Sequence, residues 1–255
     1  MRNGVYDFIK ELVNVEGLVD VSLTTNGVLL KDNIEKIKAA GIRRINISLD
    51  TLQKEKFKHI SGYDVFDRVW EGIEKAHAMG FQPIKLNVVA LKGFNDDEFA
   101  DLAALSFNYP FHIRFIEYMP IGNPLMKAED YILADEIRSR LERLGELVPV
   151  QKRLLDGPAE RFKFKGAKGE IGFIRPMSHH FCGECNRLRL TANGQLRPCL
   201  LSDEQEDLRR PLRNGCSDSE LAEIFFKAVR RKHEAHGCGP NKKIRIPGQM
   251  SGIGG

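Results

Sequence analysis

Residues 44–91 read RINISLDTLQKEKFKHISGYDVFDRVWEGIEKAHAMGFQPIKLNVVAL, and this stretch decides the fold class. Arg44–Leu49 (RINISL) reads as a strand. A helix is expected over Val65–Met79, because Val65, Val69, Ile73 and Ala76 fall on one stripe and Gly80 stands just past its end. Ile84–Leu91 reads as the next strand. Strand, helix and strand with short connections form a βαβ unit, whose strands run parallel.

The same alternation extends to both sides. Upstream, Val21–Thr25 reads as a strand, followed by a helix over Asp32–Ala40 with apolar Ile34 and Ile37 and a stop at Gly41. Downstream, Asn95 and Glu98 are expected to form a capping box for a helix carrying Phe99, Leu102 and Ala103. His112–Tyr118 is a fourth strand. Leu133–Leu144 is a further helix with Ile137, Leu141 and Leu144 inward. The fold class is therefore α/β with a parallel sheet, and periodicity allows both a doubly wound sheet and a (βα) barrel.

The pattern breaks after Pro149. Residues 152–180 are basic and punctuated by glycine, 187–199 read as a hairpin, and a helix is expected from Ser219 to His236 behind a Ser217/Glu220 capping box. Arg230, Arg231 and Lys232 lie late in that helix, where they suit its dipole. Two domains follow from this break, residues 1–148 and 149–255. The last residues, 251–255, are small.

Composition narrows the function classes. A net charge of +4 over 255 residues suits an anionic small molecule and falls short of the basic stripe of a duplex binder, so no nucleic-acid partner is expected. The longest apolar runs, such as Val88–Leu91, are too short to span a bilayer, and no membrane partner is expected. Residues after Met1 lack an apolar signal core, so a cytoplasmic location is expected. Five cysteines, an odd number, argue there for free thiols or metal ligands instead of disulfides.

The strongest signal is FCGECNRLRLTANGQLRPCL, residues 181–200. Asn193-Gly194 suggests a two-residue type I′ turn, since both turn positions need positive φ. That register sets Leu188 opposite Cys199, so Cys182, Cys185 and Cys199 converge. Zinc would normally take a fourth protein ligand, which His179 or His180 could supply. Three thiolates with an open position suit an iron–sulfur cluster instead. Cys216 and Cys238 read as non-ligands. Arg187 and Arg189 share one strand face beside the cysteines and could hold a phosphate or a purine, whereas Arg197 pairs with Leu190 in this register and points the other way.

With these residues stand further motifs: LTTNGVLL from Leu23, RINISLDTL from Arg44, IKLNVVALKGFND from Ile84, IRFIEYMPIG from Ile113 and the terminal Gly254-Gly255. Together they resemble, in order and over essentially the whole chain, the radical S-adenosylmethionine (SAM) enzymes of molybdenum-cofactor synthesis known as GTP 3′,8-cyclases. The resemblance implies an incomplete (βα) barrel with a C-terminal domain whose 4Fe–4S cluster, on Cys182, Cys185 and Cys199, binds GTP. It implies GTP contacts at Thr24, Lys85, Arg187, Leu188 and Arg189, with Arg114 also reaching toward the substrate, and SAM contacts at Ser48 and Met119. It gives catalytic roles to Arg187 and Arg189 and to the Gly254-Gly255 tail. Thr24, Ser48 and Met119 fall at or near the C-terminal ends of expected strands, where parallel barrels build their sites.

The family also opens with a CxxxCxxC loop for a second 4Fe–4S cluster and a GGEP-like strand end. No cysteine precedes Cys182 here. The expectation is an N-terminally truncated barrel, arising as a shortened expression product, a misplaced start codon or a genuine fragment, that lacks SAM-cleaving chemistry on its own. The function expected of the family is conversion of GTP to (8S)-3′,8-cyclo-7,8-dihydroguanosine 5′-triphosphate, the product passing to cyclic pyranopterin monophosphate synthase. A homodimer is compatible with the sequence. The rival reading is a non-catalytic zinc- or cluster-stabilised nucleotide-binding module.

Overall fold

The computed structural model describes residues 2–122, 131–151, 156–179, 182–232 and 252. Its elements in chain order are α1 (Val5–Val13), β1 (Ser22–Thr25), α2 (Leu30–Ala39), β2 (Arg44–Ser48), α3 (Lys54–Ser61), α4 (Phe66–Ala78), β3 (Ile84–Ala90), α5 (Phe99–Asn108), β4 (His112–Glu117), α6 (Ala134–Leu141), β5 (Leu147–Pro149), β6 (Glu160–Phe164) and β7 (Glu170–Ile174). Beyond these come β8 (Arg189–Leu190), β9 (Gln195–Arg197), β10 (Glu206–Asp207), α7 (Arg209–Arg213) and α8 (Asp218–Arg230). Among the described residues no helix is long and apolar enough to cross a membrane.

The chain forms two compact units, each made of two stretches: Met1–Ile116 with Ala134–Ile174, and Glu117–Leu133 with Arg175–Gly255. The first holds a seven-stranded sheet in the order β1-β2-β3-β4-β7-β6-β5. β1 pairs parallel with β2, β2 with β3, and β4 with β7; β6 and β5 continue the sheet antiparallel. The α/β class and the mostly parallel sheet thus agree with the sequence pattern. The boundary expected at 148/149 does not hold, because β6 and β7, from the basic glycine-punctuated stretch, complete this sheet.

One face of the sheet is apolar. Ile45, Ile47, Leu86, Val88, Ile113, Phe115, Ile171 and Phe173 are all buried, as are Ile34 and Ile37 of α2, Val69, Ile73 and Ala76 of α4, and Phe99 and Leu102 of α5. Phe99 meets Phe115 edge-on with ring centroids 5.4 Å apart, an arrangement aromatic pairs favour. α2 and α4 pack closely because Gly72 has no side chain: a Cβ there would come within 3.0 Å of the Lys31 backbone nitrogen.

Three local expectations fail for physical reasons. Glu98 and Asn95 do not cap α5 as a box. Glu98 is buried and accepts from Thr51 Oγ1 and the Leu52 N–H, while the Asn95 amide donates to the Asp50 and Val89 carbonyls and accepts from the Leu91 N–H. Tertiary partners outbid the local cap. The last expected turn of the 133–144 helix tightens into a 3₁₀ turn over Glu142–Leu144 and leaves Leu144 exposed. α3 is a helix that the sequence pattern did not reveal. By contrast the Ser217/Glu220 capping box of α8 forms in both directions. The expected helix beyond Lys232 lies outside the described residues.

Candidate active site

The second face of the sheet is polar. Register sets Thr24 opposite Asn46 and Asn46 opposite Lys85, so the three share one row across β1, β2 and β3. Ser48 ends β2 opposite Asn87. Arg114 of β4 lies across this row, donating from Nε to Asn87 Oδ1 (2.8 Å) and from Nη2 to Asn46 Oδ1 (2.9 Å). The Asn46 amide in turn donates to Thr24 Oγ1 (3.2 Å). Gly172 on β7 makes room for Arg114, since a Cβ there would meet its Cγ at 3.1 Å.

Lys85 is only 8% exposed. Among the described residues it has neither a hydrogen-bond partner nor an ion pair. Burial, aided by the charges of Arg114 and Arg44, lowers its pKa to about 8. The same burial, with Arg44 nearby, lowers Arg114 to about 10. Two underpaired cations on one wall are short of negative charge. They line a recess with His112, Arg161 and Glu170. Arg161 grips Glu170 bidentately at 2.7 Å through Nε and Nη2 and also pairs with Asp156. Burial pushes the Glu170 carboxyl up, but Arg161 and His112 bring it below the usual range. His112, 3.6 Å from Glu170, is driven by burial down to about 4 and is neutral at pH 7.

The second unit carries the cysteines. A 3₁₀ turn spans Cys182–Glu184, and the Cys185 N–H closes it on the Cys182 carbonyl at 3.1 Å. The hairpin differs from its expected register. Arg189 stands opposite Arg197 and Leu190 opposite Leu196, and the Thr191 N–H donates to the Gln195 carbonyl. The loop is therefore three residues, Ala192 to Gly194, with φ of 83° at Gly194 and no positive φ at Asn193. This is the type I turn plus left-handed glycine, not the type I′ turn. One residue of slip moves Arg197 onto the face of Arg189. Cys199 lies beside Met177 and Leu201 together with Met119, and its Sγ accepts from the Leu201 N–H at 3.4 Å.

Relatives now decide the identity. Residues 2–106 match the Radical SAM superfamily, and residues 111–238 match the family described as Molybdenum Cofactor Synthesis C. Over its full length the chain is 46% identical to the GTP 3′,8-cyclase of Moorella thermoacetica, covering 78% of that protein. It is equally similar, at 46% identity and 78% coverage, to that of Thermodesulfovibrio yellowstonii. With the GTP 3′,8-cyclase of Heliobacterium modesticaldum it shares 45% identity over 260 aligned positions, 79% of the relative. The chain belongs to the GTP 3′,8-cyclase family.

Radical SAM membership implies a 4Fe–4S cluster and SAM; the matched residues 2–106 hold no cysteine, and the sulfur donors whose fit to an iron–sulfur group can be tested are those of the C-terminal set. Burial pushes the Cys185 thiol up, but hydrogen bonds from the Arg187 backbone and side chain, with the Arg187 and Lys232 charges, hold it below its ordinary value. Arg189 feels the Cys185 and Cys199 sulfurs together. Soft sulfur donors, with the Cys185 thiolate favoured by Arg187 and Lys232, fit an iron–sulfur group. All three cysteines are free thiols. Among the described residues, no three His, Cys, Asp or Glu side chains form a group drawn close enough to hold a metal ion.

In this GTP 3′,8-cyclase family member the expected site residues therefore fall into two sets. Thr24, Ser48, Lys85 and Arg114 lie on the polar sheet face. Met119, Cys182, Cys185, Arg187, Leu188, Arg189 and Cys199 lie in the second unit. His180, Gly254 and Gly255 lie outside the described residues. Sequence reasoning missed Asn46 and Asn87, which hold Arg114. Their spacing from Ser48 and Lys85 at two residues was the available signal. It also set Arg197 aside through the wrong turn.

Proposed function

We propose that this chain binds GTP and serves its conversion to (8S)-3′,8-cyclo-7,8-dihydroguanosine 5′-triphosphate in molybdenum-cofactor synthesis. The product would be consumed by cyclic pyranopterin monophosphate synthase. The buried, unpaired Lys85 ammonium beside Arg114 is the observation that carries this reading, because it needs the charge of a polyphosphate. In the proposal Lys85, Thr24 and Arg114 hold one part of the nucleotide. Thr24 Oγ1 already accepts from Asn46, which leaves its proton for a ligand oxygen.

Cys182, Cys185 and Cys199 would hold a 4Fe–4S group, with Arg187, Leu188 and Arg189 binding the nucleotide beside it, and by the resemblance Ser48 and Met119 would contact SAM. When bound, such clusters and SAM would supply the radical chemistry that removes a ribose hydrogen and joins the ribose carbon to C8 of guanine. The resemblance assigns SAM cleavage to a second cluster, for which no cysteine precedes Cys182 here. The chain's own residues orient the ribose against the base and screen the radical from water. Gly254 and Gly255 enter only through the resemblance, as a tail that reaches the substrate.

Anaerobic calorimetric titration with GTP tests this reading. Saturable binding is expected, weakened about 10-fold or more in Lys85→Ala and in Arg189→Ala, as for loss of a charge-assisted contact worth about 1.5–3 kcal/mol. Unchanged affinity in both variants, or no binding by the parent, overturns it.

A further inference from the structure

The observed hairpin register places Arg197 where the sequence did not. It stands opposite Arg189, and its side chain is only 5% exposed. Like charges directly opposite across a ladder repel, so such a pair persists only where something else draws the two together. One of the attachments of Arg197 is plain: Nη2 donates to the Ser202 carbonyl. Residues 198–202 are thereby closed into a loop whose inner member is Cys199, and the Leu201 N–H points at its sulfur.

A second donor, Nε, is idle. Arg197 Nε is buried and has no acceptor among the described residues. No carboxylate among them pairs with Arg197. A guanidinium this deep normally has its N–H groups satisfied, and an anionic acceptor supplied by a bound group would complete it.

We propose that Arg197 is a positioning residue for the iron–sulfur group on Cys199: it closes the 198–202 loop through Ser202 and keeps its Nε–H for an anionic sulfur of that group. This rests on the cluster assignment under the proposed function. Donors to cluster sulfurs raise the reduction potential, and outer-shell partners of this kind set how tightly a metal group is held.

Parent, Arg197→Lys and Arg197→Gln are reconstituted anaerobically with iron and sulfide, without nucleotide. Iron and acid-labile sulfide content, the electron paramagnetic resonance spectrum of the reduced protein and its reduction potential are measured, with circular dichroism as the folding control. Arg197→Gln is expected to hold iron about 10-fold or more weakly. Arg197→Lys keeps the charge and is expected to retain iron, with a more negative potential and altered g-values.

If both folded variants keep the parent's iron content, potential and g-values, the proposal is overturned. It is also overturned if, in a parallel calorimetric titration of the reconstituted proteins with GTP, only their affinity for GTP falls, since Nε would then serve a phosphate. A parent that takes up no iron would instead sink the cluster assignment beneath it.

Discussion

Lys85 combines deep burial with a titration near physiological pH, so its charge can be followed through binding. With its pKa lowered to about 8, the ammonium is present below pH 8 and lost above it. GTP affinity is therefore expected to fall as pH rises from 7 to 9. In Lys85→Arg, whose guanidinium stays charged, the affinity should stay flat over that range. Calorimetric titration at four pH values checks this; parallel profiles for the two proteins would contradict it. A second residue makes a stability argument. Glu98 receives Thr51 Oγ1 at 2.7 Å, the Leu52 N–H at 2.8 Å and the Lys56 ammonium at 2.9 Å. Glu98→Ala strands these partners and should cost about 3 kcal/mol, read from urea unfolding. A loss below about 1 kcal/mol would mean that water replaces the carboxylate there.

Among the elements, the β8–β9 hairpin shows how far local sequence carries. Asn193-Gly194 correctly marked a reversal between the cysteines, because a glycine was needed at positive φ. The count of loop residues was not legible. It depends on Thr191, whose Oγ1 accepts from the Gln195 N–H at 2.9 Å, and on Arg209, whose Cβ would stand 2.6 Å from a Cβ on Gly194. Gly194→Ala thus meets both a strained φ and a packed neighbour, and about 2 kcal/mol or more should be lost. Thermal unfolding tests this, and an unchanged midpoint would show that the loop can be re-formed. β4 offers a pH test. His112 titrates near 4 in the folded chain and near 6.5 when unfolded. Its contribution is complete above pH 6.5 and is lost as the pH falls toward 4. His112→Gln should therefore flatten the decline in melting temperature between pH 6.5 and 5. An identical slope would place the acid sensitivity elsewhere.

Across the whole molecule, the regular βαβ part was read well because its helices carry apolar stripes and its strands are short apolar runs between glycines. β6 and β7 were missed because Phe162 and Phe164 are interleaved with Arg161 and Lys163, and Ile171 and Phe173 are separated by Gly172 behind Glu170, so each short run reads as polar or glycine-broken until the folded sheet gives it two faces. The cysteine proposal came from spacing, and the sheet-face proposal needed the family resemblance, since a lone Thr or Lys carries no signature. Metal analysis joins these levels: the anaerobically reconstituted chain should be brown, with iron and sulfide in equal amounts, and Cys199→Ala should lose most of both. Stoichiometric zinc with no iron uptake would favour the nucleotide-binding module instead.

The insertion of β7 beside β4 sets a timetable for synthesis. His112 pairs with Glu170, so the edge of β4 must wait for its neighbour until a distant part of the chain has left the ribosome. Throughout that interval the apolar Ile113 and Phe115 border an open ladder, a state prone to pair with the wrong strand. Only when Gly169 arrives can the strand dock, since its N–H binds the Ser106 carbonyl and any larger residue would strike the Phe111 carbonyl oxygen. Nascent chains stalled with residues up to 150 exposed should therefore be cut readily by protease and engage chaperones, and those exposing residues up to 180 should resist. Equal resistance at both lengths would show that the first four strands are self-sufficient.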